Sequence, residues 1–335
     1  MIQYREEKER SKAYKQDYLD GLLQLIDQRQ KDSEAIRDAY LRDIFATPEK
    51  YRNDFKKMLG WPLVGHRDDM PPAVTMEKLS EEEGYTIFRM RITILEHLTM
   101  TGLFFRKNGT EKKPLIIVQH GGLGTPELIS GLYGDTANYN RMLERVIQYD
   151  VHAFAPQLLL WHEDYDVKFS RQEIDAKLKR VGSSITAIEV YGIMRSLDYF
   201  EAQDYVSNFG MVGLSYGGFY TLFTAAADTR IKSAISCSFF NTRDQHPWID
   251  WTWFGSAEKF DDAEVACLVY PRKLCIEIGT RDELFVCSYG IKSYEKLKAL
   301  CKHVGTDWLE FITFDGTHEF CLDDGPIERL VNDLL

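Results

Sequence analysis

The chain has 335 residues, and its 41 lysines and arginines against 52 aspartates and glutamates give a formal net charge of −11. A hydrophobic content of 44% with 28% charged residues is typical of globular proteins and excludes the disordered and fibrous classes. Because phosphate binding needs a basic surface, the acidic balance argues against a nucleic-acid partner. No segment approaches the roughly 18 consecutive apolar residues of a membrane span, so we expect no membrane partner either.

The cysteine pattern and the N-terminus bear on the compartment and on cofactors. Six cysteines occur without a Cys-x-x-Cys pair, which in a chain of this length indicates buried thiols rather than a disulfide framework or a zinc site. They are Cys237, Cys267, Cys275, Cys287, Cys301 and Cys321. The first residues, Met1-Ile2-Gln3-Tyr4, begin no apolar stretch of the kind found in signal peptides. We therefore expect a cytoplasmic protein that uses no metal and no other cofactor.

Residues 1–60 predict a helical N-terminal extension. Apolar side chains recur there at helical spacing, as at Leu19, Leu22 and Ile26, which indicates two or three amphipathic helices. Residues 61–83 contain several prolines and predict a linker, or a strap held against the next domain. Since isolated helices of this length are marginal in water, we expect the extension to pack stably and to contribute to a homo-oligomer or to one wall of a functional cleft.

From about residue 84 the apolar spacing changes to that of strands. Residues 85–95 and 100–106 alternate like two antiparallel strands, and short apolar strands then take turns with helices. Strands are predicted at 115–119, 151–156, 209–214, 231–239, 274–278 and 309–314, and helices at 184–202, 219–227, 289–302 and 326–335. This alternation predicts an α/β fold over residues 84–335, in which a mostly parallel sheet carries helices on both faces.

The strongest chemical motif is the pentapeptide Gly213-Leu214-Ser215-Tyr216-Gly217, which has the pattern Gly-x-Ser-x-Gly. It lies between a predicted strand and a predicted helix, where a sharp turn lifts a serine hydroxyl clear of a sheet. The flanking glycines remove Cβ atoms that would clash in such a turn, and the helix N-terminus favours developing negative charge. Ser215 is therefore the candidate nucleophile.

A serine hydroxyl is a weak nucleophile that needs a base, and the base needs an orienting carboxylate. His318 lies in a short loop between the last predicted strand and the last helix, and Asp282 also follows a predicted strand. The order Ser, Asp, His along the chain is the one expected for a nucleophile on this kind of turn. Glu283 is the nearest competitor for the acid, and Asp307 and Asp315 are weaker ones.

A second glycine-rich turn, His120-Gly121-Gly122-Leu123-Gly124, directly follows the strand predicted at 115–119. A turn at that place can supply a backbone N–H to an oxyanion, paired with the N–H of Tyr216. The sequence thus places four catalytic components in order, each at the end of a predicted strand.

These motifs resemble those of the α/β-hydrolase superfamily over residues 84–335. HGGLG, GLSYGG, GTRDE and GTHEF are similar to its dienelactone-hydrolase-like and acetyl-xylan-esterase-like branches. The N-terminal helices with residues 52–62 are also similar to bacterial hydrolases of the acetyl xylan esterase type. The resemblance implies the α/β-hydrolase fold, and it implies as site residues Ser215 (nucleophile), Asp282 (acid), His318 (base), and Gly122 and Tyr216 (oxyanion donors). The chain departs from several deacetylases in one respect, because Gly122 stands where they carry a bulky aromatic residue.

Aromatic residues cluster after two of the predicted strands. Half of the six tryptophans fall within six positions of a cap-like insertion near residues 241–260, and Trp161 follows another strand. Such residues either line an acyl or sugar pocket, or pack as a cap on the domain or against another subunit. The candidates for substrate binding are Trp161, His246, Trp248 and Trp251.

Together these features predict a serine hydrolase that cleaves carboxylic esters of small molecules through an acyl-enzyme. Acetyl or other short acyl esters, including those of carbohydrates, are the expected substrates. Two alternatives stay open: a small peptidase resembling aminopeptidases on the same scaffold, and a non-catalytic interaction protein that kept the fold. The complete set of catalytic residues argues against the second.

Overall fold

The computed structural model describes residues 2–66, 70–161 and 167–335 of the chain. Within these residues nine strands form one sheet. The strands are β1 (Val74–Glu82), β2 (Tyr85–Leu95), β3 (Leu98–Lys107), β4 (Lys113–Gln119), β5 (His152–Pro156), β6 (Val206–Leu214), β7 (Ile231–Cys237), β8 (Lys273–Gly279) and β9 (Leu309–Phe314).

Ten α-helices accompany the sheet in the described residues. They are α1 (Lys8–Tyr40), α2 (Pro48–Leu59), α3 (Pro126–Ile129), α4 (Met142–Ile147), α5 (Arg171–Arg180), α6 (Ile185–Glu201), α7 (Tyr216–Ala227), α8 (Asp262–Cys267), α9 (Cys287–Leu300) and α10 (Gly325–Asn332). None of the helices in this described part of the chain is both long enough and apolar enough to cross a membrane.

The strands lie in the order β1-β2-β3-β5-β4-β6-β7-β8-β9. The pairs from β1 to β5 are antiparallel, and every pair from β5 through β9 is parallel. All seven residues of β4 are buried, as its continuous apolar run predicts for a central strand covered on both faces. The predicted mostly parallel sheet is confirmed.

Helices cover both faces of this sheet. On one face α6 and α7 pack together with α2, and every residue of α7 is buried. On the other face α4 and α10 contribute Leu143, Val146 and Leu330 to a second apolar cluster. Because the carboxyl ends of the parallel strands meet at one edge, the loops after β4, β6, β8 and β9 come together there.

The second half of the N-terminal extension belongs to the core of the domain. On α2, Phe55 is fully buried, and its ring packs edge-on against Phe223 at 5.1 Å and Phe260 at 5.6 Å between centroids. Arg52 from the same helix donates to the carbonyl of Leu268 at 3.0 Å. Residues 1–60 are therefore not one separable unit, since α2 completes the layer formed by α6 and α7.

Residues 61–83, predicted as a linker or as a strap held against the domain, contribute a strand to the sheet in their second half. Residues Val74–Glu82 are the edge strand β1, which pairs antiparallel with β2. Its sequence, VTMEKLSEE, is polar and mostly exposed, so it lacks the apolar alternation by which strands are recognised. Backbone pairing with β2 holds it instead. Trp61 donates its N–H to the Gly182 carbonyl at 2.9 Å, and residues 67–69 lie outside the described part of the chain.

One buried carboxyl group has no ionic partner in the described residues. Glu277 on β8 is 1% exposed, and its Oε2 has no hydrogen-bond partner in that part of the chain. Burial raises the pKa of Glu277 to about 7, against a weaker lowering by the Cys237 thiol. The sheet interior thus holds a carboxyl group that favours its neutral form.

We expect Phe55→Ala to lower the free energy of unfolding by about 3–5 kcal/mol, because it removes a fully buried ring and leaves a cavity. Urea denaturation followed by tryptophan fluorescence measures the change. Lys57→Ala, on the exposed side of the same helix, is the matched control and should change stability by less than about 0.5 kcal/mol. A loss below about 1 kcal/mol for Phe55→Ala would mean that α2 does not belong to the cooperative core.

A second prediction concerns Glu277→Gln and pH. The folded-state pKa of about 7 lies above the ordinary value of 4.5, so this carboxyl favours folding most below pH 4.5, and that contribution is lost as the pH rises through 7. The neutral amide removes this dependence. We therefore expect the variant to gain up to about 3 kcal/mol of unfolding free energy relative to the wild type between pH 4.5 and 8. Parallel pH profiles in urea unfolding would contradict the assignment.

Candidate active site

Ser215 occupies the tight turn between β6 and α7. Its φ of 61° and ψ of −122° lie where residues with a side chain are rarely found. Its N–H donates to the Cys237 carbonyl at 2.9 Å, and its own carbonyl accepts from the N–H of Phe219 at 2.9 Å. Hydrogen bonds on both sides of the residue therefore hold the strained turn in place.

The two glycines that flank Ser215 are required by the lack of space. A Cβ at Gly217 would come within 2.1 Å of the Gln119 carbonyl oxygen at the end of β4. A Cβ at Gly213 would come within 2.4 Å of the backbone of Gly217. Both distances are far below a van der Waals contact. The Gly-x-Ser-x-Gly pattern therefore follows from the close approach of α7 to the end of the neighbouring strand.

Asp282 and His318 form a hydrogen-bonded pair. Asp282 Oδ2 lies 2.9 Å from His318 Nδ1, and Asp282 Oδ1 accepts from the N–H groups of Leu284 and Phe285 at 2.9 and 2.8 Å. The Asp282 side chain is fully buried, whereas that of His318 is 24% exposed. With its Nδ1–H donated to the carboxylate, the imidazole keeps Nε2 as an acceptor. Glu283, the competing acid, is exposed.

Ser215 and His318 lie at the same edge of the sheet and are linked through the end of β7. Ser215 binds the carbonyl of Cys237, and the next residue, Ser238, donates its hydroxyl to the Glu319 carbonyl at 3.2 Å. In the described residues no hydrogen bond joins the Ser215 hydroxyl to His318. Catalytic hydrogen bonds of this kind are often long before substrate binds.

The glycine-rich turn after β4 lies directly beside Ser215. A Cβ on Gly121 would lie 3.0 Å from Ser215 Cβ, which places the two backbones in contact. In the described part of the chain, neither the N–H of Gly122 nor the N–H of Tyr216 has a hydrogen-bond partner. The Tyr216 N–H is one of the free donors at the start of α7. Two unpartnered donors therefore flank the serine, as an oxyanion requires.

His120 fixes the start of this turn. It is fully buried, and burial lowers its pKa to about 4, so the imidazole is neutral near pH 7. Its Nδ1 lies 2.9 Å from the Gly121 carbonyl, and its Nε2 accepts the N–H of Leu158 at 3.1 Å. This histidine therefore joins the glycine turn to the loop after β5.

Tyr139 belongs to the site although no sequence motif indicates it. Its hydroxyl accepts the N–H of Gly121 at 2.9 Å and donates to the Gly122 carbonyl at 3.2 Å, so it clamps the turn from the side. Its neighbour Asn138 donates its amide to the His318 carbonyl at 3.0 Å. One short turn thus connects the glycine loop and the histidine loop. It has no apolar period or motif by which the sequence could have revealed it.

Trp161 packs over Gly122. A Cβ at Gly122 would lie 2.5 Å from the Trp161 ring, and the Trp161 carbonyl accepts the N–H of Leu123 at 2.9 Å. The Trp161 ring also meets that of Tyr216 edge-on at 5.2 Å. The indole, 41% exposed, therefore stands against both residues that carry the free N–H groups. Residue 122 is a glycine and has no side chain, but the indole of Trp161 fills the space beside it.

The aromatic insertion near residues 241–260 is largely packed. Trp251 is 2% exposed and lies among core rings, so the structure contradicts its prediction as a substrate-binding residue. His246 is also buried, and its Nε2 lies 2.9 Å from the Leu284 carbonyl, so that nitrogen is already used to tie the insertion to the Asp282 loop. Trp248 stays partly exposed and stacks on Tyr216 at 5.9 Å. Of the residues predicted here, only Trp248 remains open to a ligand.

A buried ionic network, which no sequence motif indicates, holds the insertion against the serine turn. Asp250 accepts from the Tyr216 hydroxyl at 2.8 Å and from Arg171 Nε at 2.8 Å. Arg171 also forms an ion pair with Glu189 at 2.9 Å, and Glu189 accepts the N–H of Leu159 at 2.7 Å. The loop that carries Trp161 is thereby linked to the side chain of Tyr216.

No group of three or more His, Cys, Asp or Glu side chains in the described residues could hold a metal ion.

Comparisons with known proteins fit this architecture. No family model matches the chain. It is 25% identical over 265 residues, 73% of this chain and 86% of the relative, to a protein of Bacillus subtilis (strain 168) named "Putative hydrolase YtaP". A crystal structure from Bacteroides fragilis NCTC 9343, described as a putative acetyl xylan esterase, superposes with a TM-score of 0.65 and 15% identity, covering 82% of this chain and 76% of that one.

A third similar protein, the methylesterase BT1017, gives a TM-score of 0.61 at 17% identity, with 90% of this chain and 67% of that chain covered. At this level of identity the similarity shows the fold. The resemblance to the α/β-hydrolase superfamily in the sequence motifs is thereby confirmed as a common architecture. The chain has the α/β-hydrolase fold.

Proposed function

We propose that the chain is a serine hydrolase that cleaves carboxylic esters. The observation that carries the proposal is the Asp282–His318 pair at the same sheet edge as Ser215, with two unpartnered N–H groups beside the serine. The names of the similar proteins, which include two esterases and a hydrolase, support the same class of reaction. The nucleophile, base and acid of the proposal are Ser215, His318 and Asp282.

The proposed reaction has two steps, acylation of Ser215 and hydrolysis of the acyl-enzyme. Ser215 Oγ attacks the ester carbonyl carbon while His318 Nε2 takes the hydroxyl proton, and the buried Asp282 carboxylate stabilises the imidazolium. The N–H groups of Gly122 and Tyr216 stabilise the negative oxygen of the tetrahedral intermediate. The alcohol leaves with the proton from His318. Water, deprotonated by the same imidazole, then attacks the acyl carbon. The bond to Ser215 Oγ breaks as His318 returns the proton to that oxygen, and the carboxylic acid is released.

We also propose that the acyl group is short. The Trp161 ring lies against Gly122 and Tyr216, so it occupies space beside the position that the ester carbonyl takes in this mechanism. A long acyl chain on that side would collide with the indole. Acetyl esters, including acetylated carbohydrates as the name of one structural neighbour suggests, are therefore the first substrates to test.

The test of the catalytic residues is hydrolysis of p-nitrophenyl acetate by purified variants. Ser215→Ala should lose about 10⁴–10⁶ in kcat, because no nucleophile remains. It should also lose labelling by a fluorophosphonate probe, which reacts only with an activated serine. Asp282→Asn should lose about 10⁴, since the histidine then lacks its partner and favours the wrong tautomer.

Glu283→Gln is the matched control for the acid, because it removes the neighbouring exposed carboxylate. It should retain near-wild-type turnover. A large loss for Glu283→Gln with little effect of Asp282→Asn would move the acid to Glu283. Near-wild-type hydrolysis by Ser215→Ala would overturn the mechanism, and faster cleavage of amino-acid p-nitroanilides than of esters would favour the peptidase.

The acyl-size proposal is tested with Trp161→Ala. Removing the indole should raise kcat/KM for p-nitrophenyl octanoate relative to the acetate by about 10-fold or more, because a pocket opens beside Gly122. Trp61→Ala removes a tryptophan of similar exposure (40% against 41%), whose ring packs edge-on against His66 at 6.0 Å, so it serves as control and should leave the ratio unchanged. Equal ratios in the wild type and in Trp161→Ala would show that the indole does not limit the acyl chain.

A further inference from the structure

The first part of α1 extends beyond the body of the protein. Every residue from 8 to 32 is exposed, and Ser33 and Arg37 are the buried residues of the helix. We call residues 8–32 the arm; at a rise of 1.5 Å per residue it is about 37 Å long. We call residues 29–38, where the arm joins the rest of α1, its base. Ion pairs fix the base, among them Arg29 with Glu258 at 2.7 Å and Arg37 with Glu264 at 3.0 Å.

The arm carries an apolar stripe that faces solvent. Its members are between 41% and 75% exposed, and they are Tyr18, Leu19, Leu22, Leu23, Leu25 and Ile26. Leu22 and Leu25 precede Arg29 by seven and four residues, which places them on the same side of the helix. That side is the one which Arg29 and Arg37 present to the body. The stripe therefore continues a face that is already an interface at the base of the arm.

An arm of this kind is poorly stable without a partner. Helices in water gain most of their stability from packing of an apolar face, and Gly21 in the middle of the stripe weakens the isolated helix further. A run of large exposed apolar side chains at helical spacing is also typical of helix pairing rather than of a solvated surface. The stripe is therefore a surface that another protein or a membrane should bury.

The charges at the two ends of the arm indicate which partner buries the stripe. Residues 8–15 contain four basic side chains and one acidic one, a net charge of +3. At the base, residues 29–38 are neutral overall, and their ion-pair partners Glu258, Asp261, Glu264 and Lys296 bring the net charge to −2. When two arms run antiparallel, the basic tip of each lies near the acidic base of the other.

A membrane surface fits less well. Helices that lie on anionic membranes are rich in lysine and arginine on their polar face. The arm has six basic and five acidic residues, and the whole chain carries a net charge of −11. A second protein surface with both signs of charge is the better match.

We propose that the arm is the dimerisation surface of this chain and that its partner is a second copy. Two arms cross antiparallel near Leu22 about a two-fold axis, so that the same stripe is buried on both subunits. The apolar stripes supply the buried contact, and the basic tips, reaching the acidic base of the other arm, set the antiparallel orientation.

Size-exclusion chromatography with light scattering, over a dilution series of the full chain, tests the proposal. The wild type should have twice the chain mass of 38.9 kDa. Leu22→Glu combined with Ile26→Glu should be monomeric, with the dimer dissociation constant raised about 100-fold or more, and should lose helix signal in circular dichroism. Val181→Glu, which places the same charge at a residue 74% exposed outside the arm, is the matched control and should stay dimeric.

Charge reversal tests the antiparallel orientation. Lys12→Glu and Glu34→Lys should each weaken the dimer, and the double variant should recover affinity, because the reversed tip then meets a reversed base on the other copy.

A wild type that is monomeric at every concentration would overturn the proposal, and co-sedimentation of that monomer with phosphatidylserine vesicles would assign the arm to a membrane. A dimer that persists in the Leu22→Glu, Ile26→Glu variant would place the interface elsewhere. The rate of p-nitrophenyl acetate hydrolysis per chain serves as the folding control. It should be unchanged in these variants, because the substitutions lie outside the body of the protein.

Discussion

The steric restriction at the end of β4 is the constraint on which the rest of the site depends. The backbone of α7 passes so close to Gln119 that a Cβ at Gly217 would lie 2.1 Å from its carbonyl oxygen. The chain can make this approach only with glycine on both sides of Ser215, and it then forces the serine to a positive φ. The same approach brings the glycine turn after β4 against the serine. One close backbone contact thus sets the position of the proposed nucleophile and of both free N–H groups.

Neutral polar groups maintain the loops around this contact. His120 is kept neutral by burial and can therefore accept the N–H of Leu158 with one ring nitrogen. The hydroxyl of Tyr139 serves as acceptor and donor on one glycine turn, while the adjacent Asn138 holds the histidine loop. Since these contacts join loops from different strands, the relative position of His318 and the glycine turn depends on a segment that contributes no catalytic group of its own.

On the aromatic side of the site, ionic contacts hold the loops in place. Arg171 is shared between Asp250 and Glu189, and each guanidinium nitrogen of Arg171 has an acceptor. Asp250 Oδ1 has no hydrogen-bond partner in the described residues, so the network is satisfied on the arginine side and leaves one buried carboxylate oxygen unpaired. Asp250 holds the Tyr216 side chain, and Glu189 holds the loop leading to Trp161. The insertion near residues 241–260 therefore acts mainly as a packed wall behind Tyr216, and the open aromatic surfaces are those of Trp161 and Trp248.

The sequence by itself determined the fold class, the succession of strands from β2 to β9 and the place of Ser215 between a strand and a helix. These follow from local rules: apolar runs for buried strands, and glycines where a turn leaves no room for Cβ atoms. Only the tertiary structure showed that the buried carboxylate of Asp282, and not the exposed one of Glu283, is hydrogen-bonded to His318. It also showed that Trp251 is a core residue and Trp161 a neighbour of Gly122, a contact between residues far apart in the chain. The edge strand β1 and the clamp by Tyr139 had no sequence signal, because pairing with a neighbouring strand and a single side-chain hydroxyl leave no periodic pattern in the residues themselves.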